Sequence, residues 1–266
     1  MRNIKLEIEY DGSGYVGWQI QNRPQTRDRR PETADQRPQT IQDTIEKTLR
    51  KILQEKIQLI ASGRTDSGVH AYGQAANFKT DSQISPERLQ LALNGNLPHD
   101  IVITKIEDVA PKFNSRFSAK SKVYRYTILN RKYHSPLLRN TVYFCHYSLN
   151  VNLMRQEAKC LLGKHDFKAF CASGSRVKST TRTIKNISIR KTFYPLYAKR
   201  YPLIIIDIEA DGFLYNMVRN ISGTLIMIGR GKFSKGSMQK ILASKNRRLA
   251  GPTAAACGLA LLKVNY

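Results

Sequence analysis

Residues Ser62–His70 have the sequence SGRTDSGVH, and the rest of the chain is organised around them. They follow a mostly apolar run, Ile57–Ile60, and predict a strand that ends in a sharp loop, because glycine can adopt positive φ or let another backbone approach closely. A carboxylate on such a loop, here Asp66, can point into a cleft. The same stretch also fits an ordinary turn, since Asp, Ser and Gly are common turn formers. The stretch alone leaves both interpretations open.

The composition indicates a folded protein with a polyanionic partner. The chain has 266 residues, of which 41% are hydrophobic, so it can bury a sizeable core as one large domain or as two smaller ones. Lys and Arg number 44 against 20 Asp and Glu, which makes the formal net charge +24. Such an excess is typical of nucleic-acid binding, although a generally basic protein with a solvated surface would share it.

No motif in the sequence is typical of a metal or nucleotide site. The 4 cysteines have no CxxC spacing, and the 5 histidines form no pair at helical metal-ligand spacing. No GxxxxGK-S/T or GxGxxG motif occurs. We therefore expect no metal and no cofactor. The longest apolar stretches are strand-sized and nothing resembles a signal peptide, so we expect a cytoplasmic protein with no membrane partner.

The first half of the chain alternates strand and helix signals. Ile4–Tyr10 alternates apolar and polar residues, as a half-buried strand does. The insert 22–40 is rich in Arg, Pro, Gln and Thr and predicts a loop, because it cannot bury enough apolar surface to fold by itself. Thr40 then predicts the N-cap of an amphipathic helix. A short strand, Gln74–Lys79, precedes a second helix that we expect to begin after Ser85 and to end at Asn94-Gly95.

The second half shows the same alternation. A strand begins at Ile101, and Lys122–Ile128 predicts another that places Tyr124 and Tyr126 on one face, where packing is the commonest role of a tyrosine. The further expected segments are a helix over Val151–Leu162, a basic loop over Ser173–Arg182, strands over Ile184–Ile189 and Leu203–Glu209, helices over Phe213–Ile228 and Ser237–Ala243, and a last strand, Gly258–Tyr266. This pattern predicts an α+β fold with a largely antiparallel sheet covered by helices.

Six motifs, in order, resemble those of the tRNA pseudouridine synthase A family. They are YDGSGYVGWQ at 10–19, GRTDSGVH at 63–70, FNSRF at 113–117, KVYRY at 122–126, GKHDF at 163–167 and MVRN at 217–220. Six motifs in order with compatible spacing are specific, and the resemblance extends from about Ile4 to Tyr266. The chain departs from the family at the insert 22–40, since the family usually has a much shorter connection there.

The resemblance implies a fold and an assembly. We expect the pseudouridine-synthase-like fold, in which two similar α/β halves share a mainly antiparallel mixed sheet flanked by helices, with the active-site cleft between them. The halves would be residues 1–112, which carry the Asp66 loop, and residues 113–266. The resemblance also implies a homodimer with tRNA lying across both subunits.

The same resemblance implies an activity and a catalytic pair. The family converts uridine to pseudouridine at positions 38–40 of the tRNA anticodon stem-loop, without a cofactor. Asp66 matches the catalytic aspartate, which acts as a nucleophile or as a base at the sugar, and the sequence leaves that choice open. Either role requires an ionised carboxylate, and a buried one needs a cationic partner. Arg219 matches the basic partner of the family.

Further residues match substrate-binding positions. The target nucleotide must be flipped out of its stack, and Arg64 matches the residue that fills the gap. Tyr124 matches the tyrosine that stacks on the flipped uracil. We expect Arg116, Arg176, Lys178 and Arg182 along the RNA backbone, with Arg131 and Lys132 as weaker candidates.

Two other interpretations stay open. One is a non-catalytic RNA-binding module, which would use basic and aromatic surface residues without turnover. The other is a pseudouridine synthase for another structured RNA. An intact set of Asp66, Arg64, Tyr124 and Arg219 argues against the first, whereas those residues do not exclude the second.

Overall fold

A computed structural model describes residues 1–19, 39–174, 177–196 and 199–266. The predicted insert 22–40 lies outside the described residues, apart from Gln39 and Thr40. The chain forms two compact units, Met1–Ser118 and Ala119–Tyr266. The expected division at residue 112, the shared sheet and the cleft between the halves stay predictions.

The first unit contains four strands and two helices among its described residues. They are β1 (Arg2–Tyr10), α1 (Ile41–Leu53), β2 (Ile60–Ala61), β3 (His70–Thr80), α2 (Pro86–Asn96) and β4 (Ile101–Val109). Strand β1 lies between β4 and β3, β2 pairs with β3, and all of these pairings are antiparallel. Helix α2 packs on β4 and against α1.

The apolar periodicity predicted these elements because it marks the buried faces. Ile4, Leu6 and Ile8 of β1 are fully buried, as are Ile41, Ile45 and Leu49 of α1. The Thr40 side chain accepts a hydrogen bond from the Asp43 N–H, so the predicted N-cap is confirmed.

Three predicted boundaries in this unit are wrong. Strand β3 extends from His70 to Thr80 and is longer than the predicted Gln74–Lys79. Only Ile60 and Ala61 pair as a strand before the Asp66 loop, although Ile57 and Leu59 are buried. Helix α2 also continues through Asn94-Gly95 to Asn96. The Asn94 side chain does not cap the helix, because it bonds both the N–H of Ile103, at 2.8 Å, and its carbonyl oxygen, at 3.0 Å.

The second unit contains six strands and three helices among its described residues. Its elements are β5 (Ser121–Asn130), β6 (Tyr143–Cys145), α3 (Val151–Ala158), β7 (Gly163–Asp166), β8 (Thr181–Leu196), β9 (Lys199–Ala210), α4 (Met217–Gly229), α5 (Ser237–Ser244) and β10 (Leu259–Asn265). The strand order is β10-β5-β9-β8-β7, with antiparallel pairings, and β6 pairs with β5 in parallel. The α+β class with a mainly antiparallel mixed sheet is therefore confirmed.

The structure corrects several boundaries here. Strands β8 and β9 are longer than predicted and pair as far as Leu196 and Lys199. Strand β8 already begins at Thr181, so Arg182, which pairs with His165, lies in a strand and not in the basic loop. Helix α3 ends at Ala158 and continues only as a 3-10 turn. Helix α4 begins at Met217, because Asn216 has the left-handed φ of 59° and cannot continue a helix. Among the described residues, no helix is both long and apolar enough to cross a membrane.

Candidate active site

The loop that carries Asp66 connects β2 to β3. Asp66 is partly buried and Arg64 is exposed. The Val69 N–H donates to the Asp66 carbonyl oxygen at 3.1 Å and closes a turn in which Gly68 has a φ of +74°. The loop therefore uses the conformational freedom of its second glycine, whereas Gly63 is not among the glycines with positive φ.

A second segment, which follows β1, runs along this loop and holds its backbone. The Trp18 N–H donates to the carbonyl oxygen of Thr65 at 3.0 Å, directly before Asp66. On the other side of Asp66, the Gly68 N–H and the Ser67 hydroxyl both donate to the Tyr15 carbonyl oxygen, at 3.3 Å and 3.1 Å. The position of the Asp66 backbone is thus fixed from both sides by residues about fifty positions earlier in the chain.

Two glycines make this close approach possible. A Cβ on Gly12 would lie 2.0 Å from the Val69 carbonyl oxygen, and one on Gly17 would lie 2.7 Å from the Thr65 carbonyl oxygen. Gly17 also has a φ of +106°, which side chains rarely allow. Gly12 and Gly17 of the YDGSGYVGWQ motif therefore allow the two segments to pack backbone against backbone.

A buried glutamine, Gln74, holds the start of the loop. The Ser62 hydroxyl donates to its Oε1 at 2.7 Å, and its Nε2 donates to the Gly63 carbonyl oxygen at 2.9 Å. Gln74 lies in β3 and is fully buried. Sequence analysis placed it only in a strand, since the single signal available was a polar residue within an apolar run.

His70 and Asp11 lie at the other end of the loop. The His70 ring is almost fully buried, and its Nδ1 lies 3.1 Å from Asp11 Oδ1 and 3.2 Å from the Gly12 nitrogen. Burial raises the pKa of the Asp11 carboxyl, but hydrogen bonds from Ser13 and the proximity of His70 outweigh it, so the pKa is lowered overall. Asp11 is therefore an anion at neutral pH.

Arg219 lies in the first turn of α4 in the second unit. Its Nε donates to the Ala254 carbonyl oxygen at 2.8 Å, and its Nη1 donates to Asn216 Oδ1 at 3.0 Å. The Ala254 N–H in turn donates to the Arg219 carbonyl oxygen at 3.2 Å. The guanidinium is thus oriented by its own unit. It is only partly buried.

The neighbouring Asn220 forms a hydrogen-bond network at the start of α4. It is fully buried, its Nδ2 donates to the Phe170 carbonyl oxygen at 2.8 Å, and its Oδ1 accepts from Arg247 at 2.9 Å and from the Thr253 hydroxyl at 2.7 Å. This network holds the segment that carries Ala254 against α4. Sequence analysis missed Arg247 entirely, and the only signal for Asn220 was its place in the MVRN motif.

The two tyrosines of β5 are both buried. Tyr124 is 8% exposed, and the Phe213 ring packs against it nearly perpendicularly, with the centroids 5.0 Å apart. Tyr126 is fully buried and donates to the Ala255 carbonyl oxygen at 2.9 Å. The expected packing role of Tyr126 is therefore confirmed.

The predicted backbone-binding residues differ in their surroundings. Arg116 is exposed and its guanidinium lies 5.5 Å from the centroid of the Phe117 ring. Lys178 is exposed. Arg182 is partly buried, and its Nη1 donates to the carbonyl oxygens of Ser179, at 3.1 Å, and Thr181, at 2.6 Å. Arg176 lies outside the described residues.

The structure distributes the predicted site residues over the two units. Asp66, Arg64 and Arg116 belong to the first unit, with Asp66 and Arg64 on one loop. Tyr124, Arg219, Lys178 and Arg182 belong to the second. No one unit therefore carries the complete set.

Comparison with known proteins identifies the family. A family model described as tRNA pseudouridine synthase matches residues 8–118 and 158–266. A protein named tRNA pseudouridine synthase A from Thermoanaerobacter sp. (strain X514) is 44% identical over 266 residues, which are 100% of both chains. A protein of the same name from Acetivibrio thermocellus is 43% identical over 100% of both chains. The chain belongs to the tRNA pseudouridine synthase family.

Proposed function

We propose that this protein isomerises uridine to pseudouridine in the anticodon stem-loop of tRNA, at positions 38–40, with Asp66 as the catalytic carboxylate. Membership of the family makes the chain a tRNA-modifying isomerase. The observation that carries the assignment to Asp66 is its place in a motif loop whose backbone is held on both sides by the segment after β1. Such a loop can present one carboxylate in a fixed position.

The reaction breaks the bond between N1 of uracil and C1′ of the sugar and forms a bond between C5 and C1′. The proton on C5 leaves, and N1 gains one, so the reaction needs no net redox change and no external group. Asp66 acts at the sugar as a nucleophile or as a base. In both cases its carboxylate must be ionised, and a nearby cation favours that state.

Arg219 is the proposed cationic partner of Asp66. Its guanidinium is held by Ala254 and Asn216, so its direction does not depend on the substrate. A charge positioned in advance stabilises an anion without the cost of reorganising the site during the reaction. We assign Arg219 the role of keeping Asp66 ionised.

Arg64 and Tyr124 are the proposed contacts of the flipped nucleotide. Arg64 is exposed and lies two residues before Asp66, so it can occupy the space that the uridine leaves in the stem. Phe213 holds the Tyr124 ring in one orientation, which favours stacking of uracil on it. Tyr124 has little exposed surface, so the stacking contact is with a limited part of the ring.

The phosphate contacts are proposed for Arg116, Lys178 and Arg182. Arg116 and Lys178 are exposed, whereas the carbonyl bonds of Arg182 leave only part of its guanidinium for RNA. The net charge of +24 supports a polyanionic partner. We also propose that the protein acts as a homodimer, as the resemblance to the family implies, and that it works in the cytoplasm.

The test of this function is Asp66→Asn, which keeps the size of the side chain and removes its charge. Pseudouridine formation on an anticodon-arm RNA, measured at saturating enzyme, should fall by more than about three decades, an increase of about 4 kcal/mol in the barrier. RNA affinity and the melting temperature should stay close to those of the wild type. Asp81→Asn is the matched control, since that carboxylate is 73% exposed at the end of β3, and it should be fully active.

Three results would overturn part or all of the proposed function. Clear turnover by a well-folded Asp66→Asn variant would show that the carboxylate is not catalytic. A wild-type protein that binds the RNA but forms no pseudouridine would favour the RNA-binding module. Activity on a structured RNA other than tRNA, with none on tRNA, would reassign the substrate.

A further inference from the structure

The tip of the β8–β9 hairpin, the last two residues of β5 and the segment that follows them form a small lobe in the second unit. We define the hairpin lobe as residues 129–144, 191–196 and 199–203. It has its own apolar core, in which Phe144 and Leu196 pack on the buried side chains of Leu129, Leu138, Val142, Tyr201 and Leu203. This core joins the hairpin tip to the segment after β5, so the lobe presents one surface.

The hairpin lobe carries only positive formal charge. Its three ranges contain 6 Lys and Arg and no Asp or Glu, whereas the whole chain has 20 acidic residues. The basic residues are Arg131, Lys132, Arg139, Lys191, Lys199 and Arg200. All but Arg131 are exposed. A surface of this kind attracts polyanions.

Exposed aromatic rings lie among these charges. Phe193 is 56% exposed, and the Arg200 guanidinium lies 5.0 Å from its ring centroid. Tyr133 is 69% exposed, and Lys132 Nζ lies 5.2 Å from its centroid. Rings and guanidinium planes next to positive charge are the groups on which RNA-binding proteins stack unpaired bases while they hold phosphates.

The hairpin geometry places Phe193 and its cations on one face. Phe193 pairs with Pro202, and Pro195 pairs with Arg200, so Phe193 and Arg200 are diagonal neighbours across the two strands. Lys191 lies two residues before Phe193, and the period of a strand puts it on the same face. The hairpin therefore carries a compact cluster of Lys191, Phe193 and Arg200 on one face of paired strands.

This cluster is separate from Tyr124. Tyr124 pairs with Ile208, and five residues further along β5 Leu129 pairs with Leu203 of the lobe, a distance of about 17 Å at roughly 3.3 Å per residue. Beyond Leu203, the described part of β9 pairs only with β8. The lobe thus begins at the end of β5 that is far from Tyr124 and extends beyond it.

We propose that the hairpin lobe is a second RNA-binding surface, which contacts the tRNA backbone away from the modified nucleotide. The proposal rests on the proposed function for the identity of the RNA. A second copy of the chain fits this surface less well, because two copies of the lobe would bring positive charges together without a carboxylate from either.

The test is a double variant, Lys191→Ala and Arg200→Ala together, which removes two exposed cations of the lobe. Each lost phosphate contact lowers the slope of log K against log salt by roughly 0.7 to 0.9. The slope of the double variant should therefore be lower than that of the wild type by about 1.5. Its affinity for tRNA in 0.1 M salt should fall by about tenfold or more, and its turnover at saturating tRNA should stay unchanged. Phe193→Ala should weaken binding without changing the slope, because it removes a stacking surface and no charge.

The matched control removes the same charge elsewhere in the second unit, with Lys235→Ala and Lys240→Ala, both exposed. Its salt slope should equal that of the wild type. An equal loss of slope in both double variants would overturn the proposal, since net charge alone would then explain the effect. A change of oligomeric state in the Lys191 and Arg200 variant, measured by light scattering, would also overturn it and identify an interface between copies.

Failure of the lobe proposal differs from failure of the proposed function. The lobe is tested by salt slopes, which need no turnover. The function is tested by pseudouridine formation in the wild type and its loss in Asp66→Asn. An active enzyme with an unchanged slope in the lobe variant would overturn the lobe alone.

Discussion

The hydroxyl groups of Tyr10 and Thr65 lie 2.7 Å apart and share a hydrogen bond in the interior of the first unit. Tyr10 is the last residue of β1, and Thr65 directly precedes Asp66. Tyr10 is 3% exposed and Thr65 is 6% exposed. Burial raises the pKa of the Tyr10 phenol, so it stays protonated and able to donate. The end of a core strand is thereby bonded to the loop that carries the proposed catalytic carboxylate.

Tyr10→Phe should loosen this loop without unfolding the protein. The change leaves the Thr65 hydroxyl without this partner, and the loss of one buried hydrogen bond costs about 1 kcal/mol in the free energy of unfolding. Turnover should fall more than RNA affinity does, because the loop positions Asp66 and contributes little to phosphate binding. Urea unfolding and saturating turnover, measured on the same preparation, check both effects.

Thr80→Val is the control for Tyr10→Phe. It removes a buried hydroxyl that donates to Glu55 at 2.8 Å, at the opposite end of β3. We expect a similar loss of stability with normal turnover in the folded protein. Equal losses of turnover in the two variants would contradict a positioning role for Tyr10.

Gly12→Ala should disrupt the active-site loop, whereas Gly14→Ala should be tolerated. A Cβ at Gly12 would lie 2.0 Å from a backbone oxygen of Val69, but one at Gly14 would meet nothing within 4 Å. A clash with backbone forces the two segments apart and costs roughly 1–3 kcal/mol. Melting temperature and pseudouridine formation should both fall for Gly12→Ala. Normal activity in that variant would show that the close approach is not required.

Arg64→Ala and Lys178→Ala should have opposite effects. Arg64 is the proposed residue that holds the flipped state, so its loss should lower saturating turnover and leave affinity nearly intact. Lys178 is a proposed phosphate contact, so its loss should lower the salt slope by roughly 0.8 and leave saturating turnover unchanged. Weak binding with normal turnover in Arg64→Ala would exclude its role in base flipping.

Asp207→Asn should change how the free energy of unfolding depends on pH. Asp207 bonds the Nε and Nη2 of Arg125, at 2.7 Å and 3.0 Å, and the Nη1 of Arg190, at 2.7 Å. Burial raises its pKa, but these bonds outweigh burial and lower the pKa overall. The carboxylate therefore contributes stability that is complete above its unfolded pKa of about 3.9 and is lost as the pH falls through its lower folded pKa.

At pH 7 the free energy of unfolding of the wild type should exceed that of Asp207→Asn by about 2 kcal/mol, since hydrogen bonds to charged groups contribute about that much. The difference should shrink below about pH 4. Asp81→Asn should follow the wild-type curve, because its carboxylate is 73% exposed. Parallel wild-type and Asp207→Asn curves between pH 7 and pH 2 would contradict the prediction.

Local signals predicted most elements, and the misses share a cause. Thr40 caps α1, and the last strand, β10, lies within the predicted range. The strand signal before Ser62 failed because only two residues find a partner strand there. The long hairpin was also missed, since its tip is stabilised by the apolar core of the hairpin lobe and not by alternation along either strand.

The sequence by itself determined the candidate side chains for the chemistry and, for Asp66, Arg219 and Tyr124, the kind of element on which each lies. Motif order and composition point to Asp66, Arg219, Tyr124 and an RNA partner, because residue type, spacing and charge are properties of the chain. Only the tertiary structure decided how Asp66 is held. The bonds from Trp18 to Thr65, from Gln74 to Gly63 and between Tyr10 and Thr65 join residues 11 to 55 positions apart, and no local period encodes such contacts. They form because buried polar groups must find partners once the core has packed.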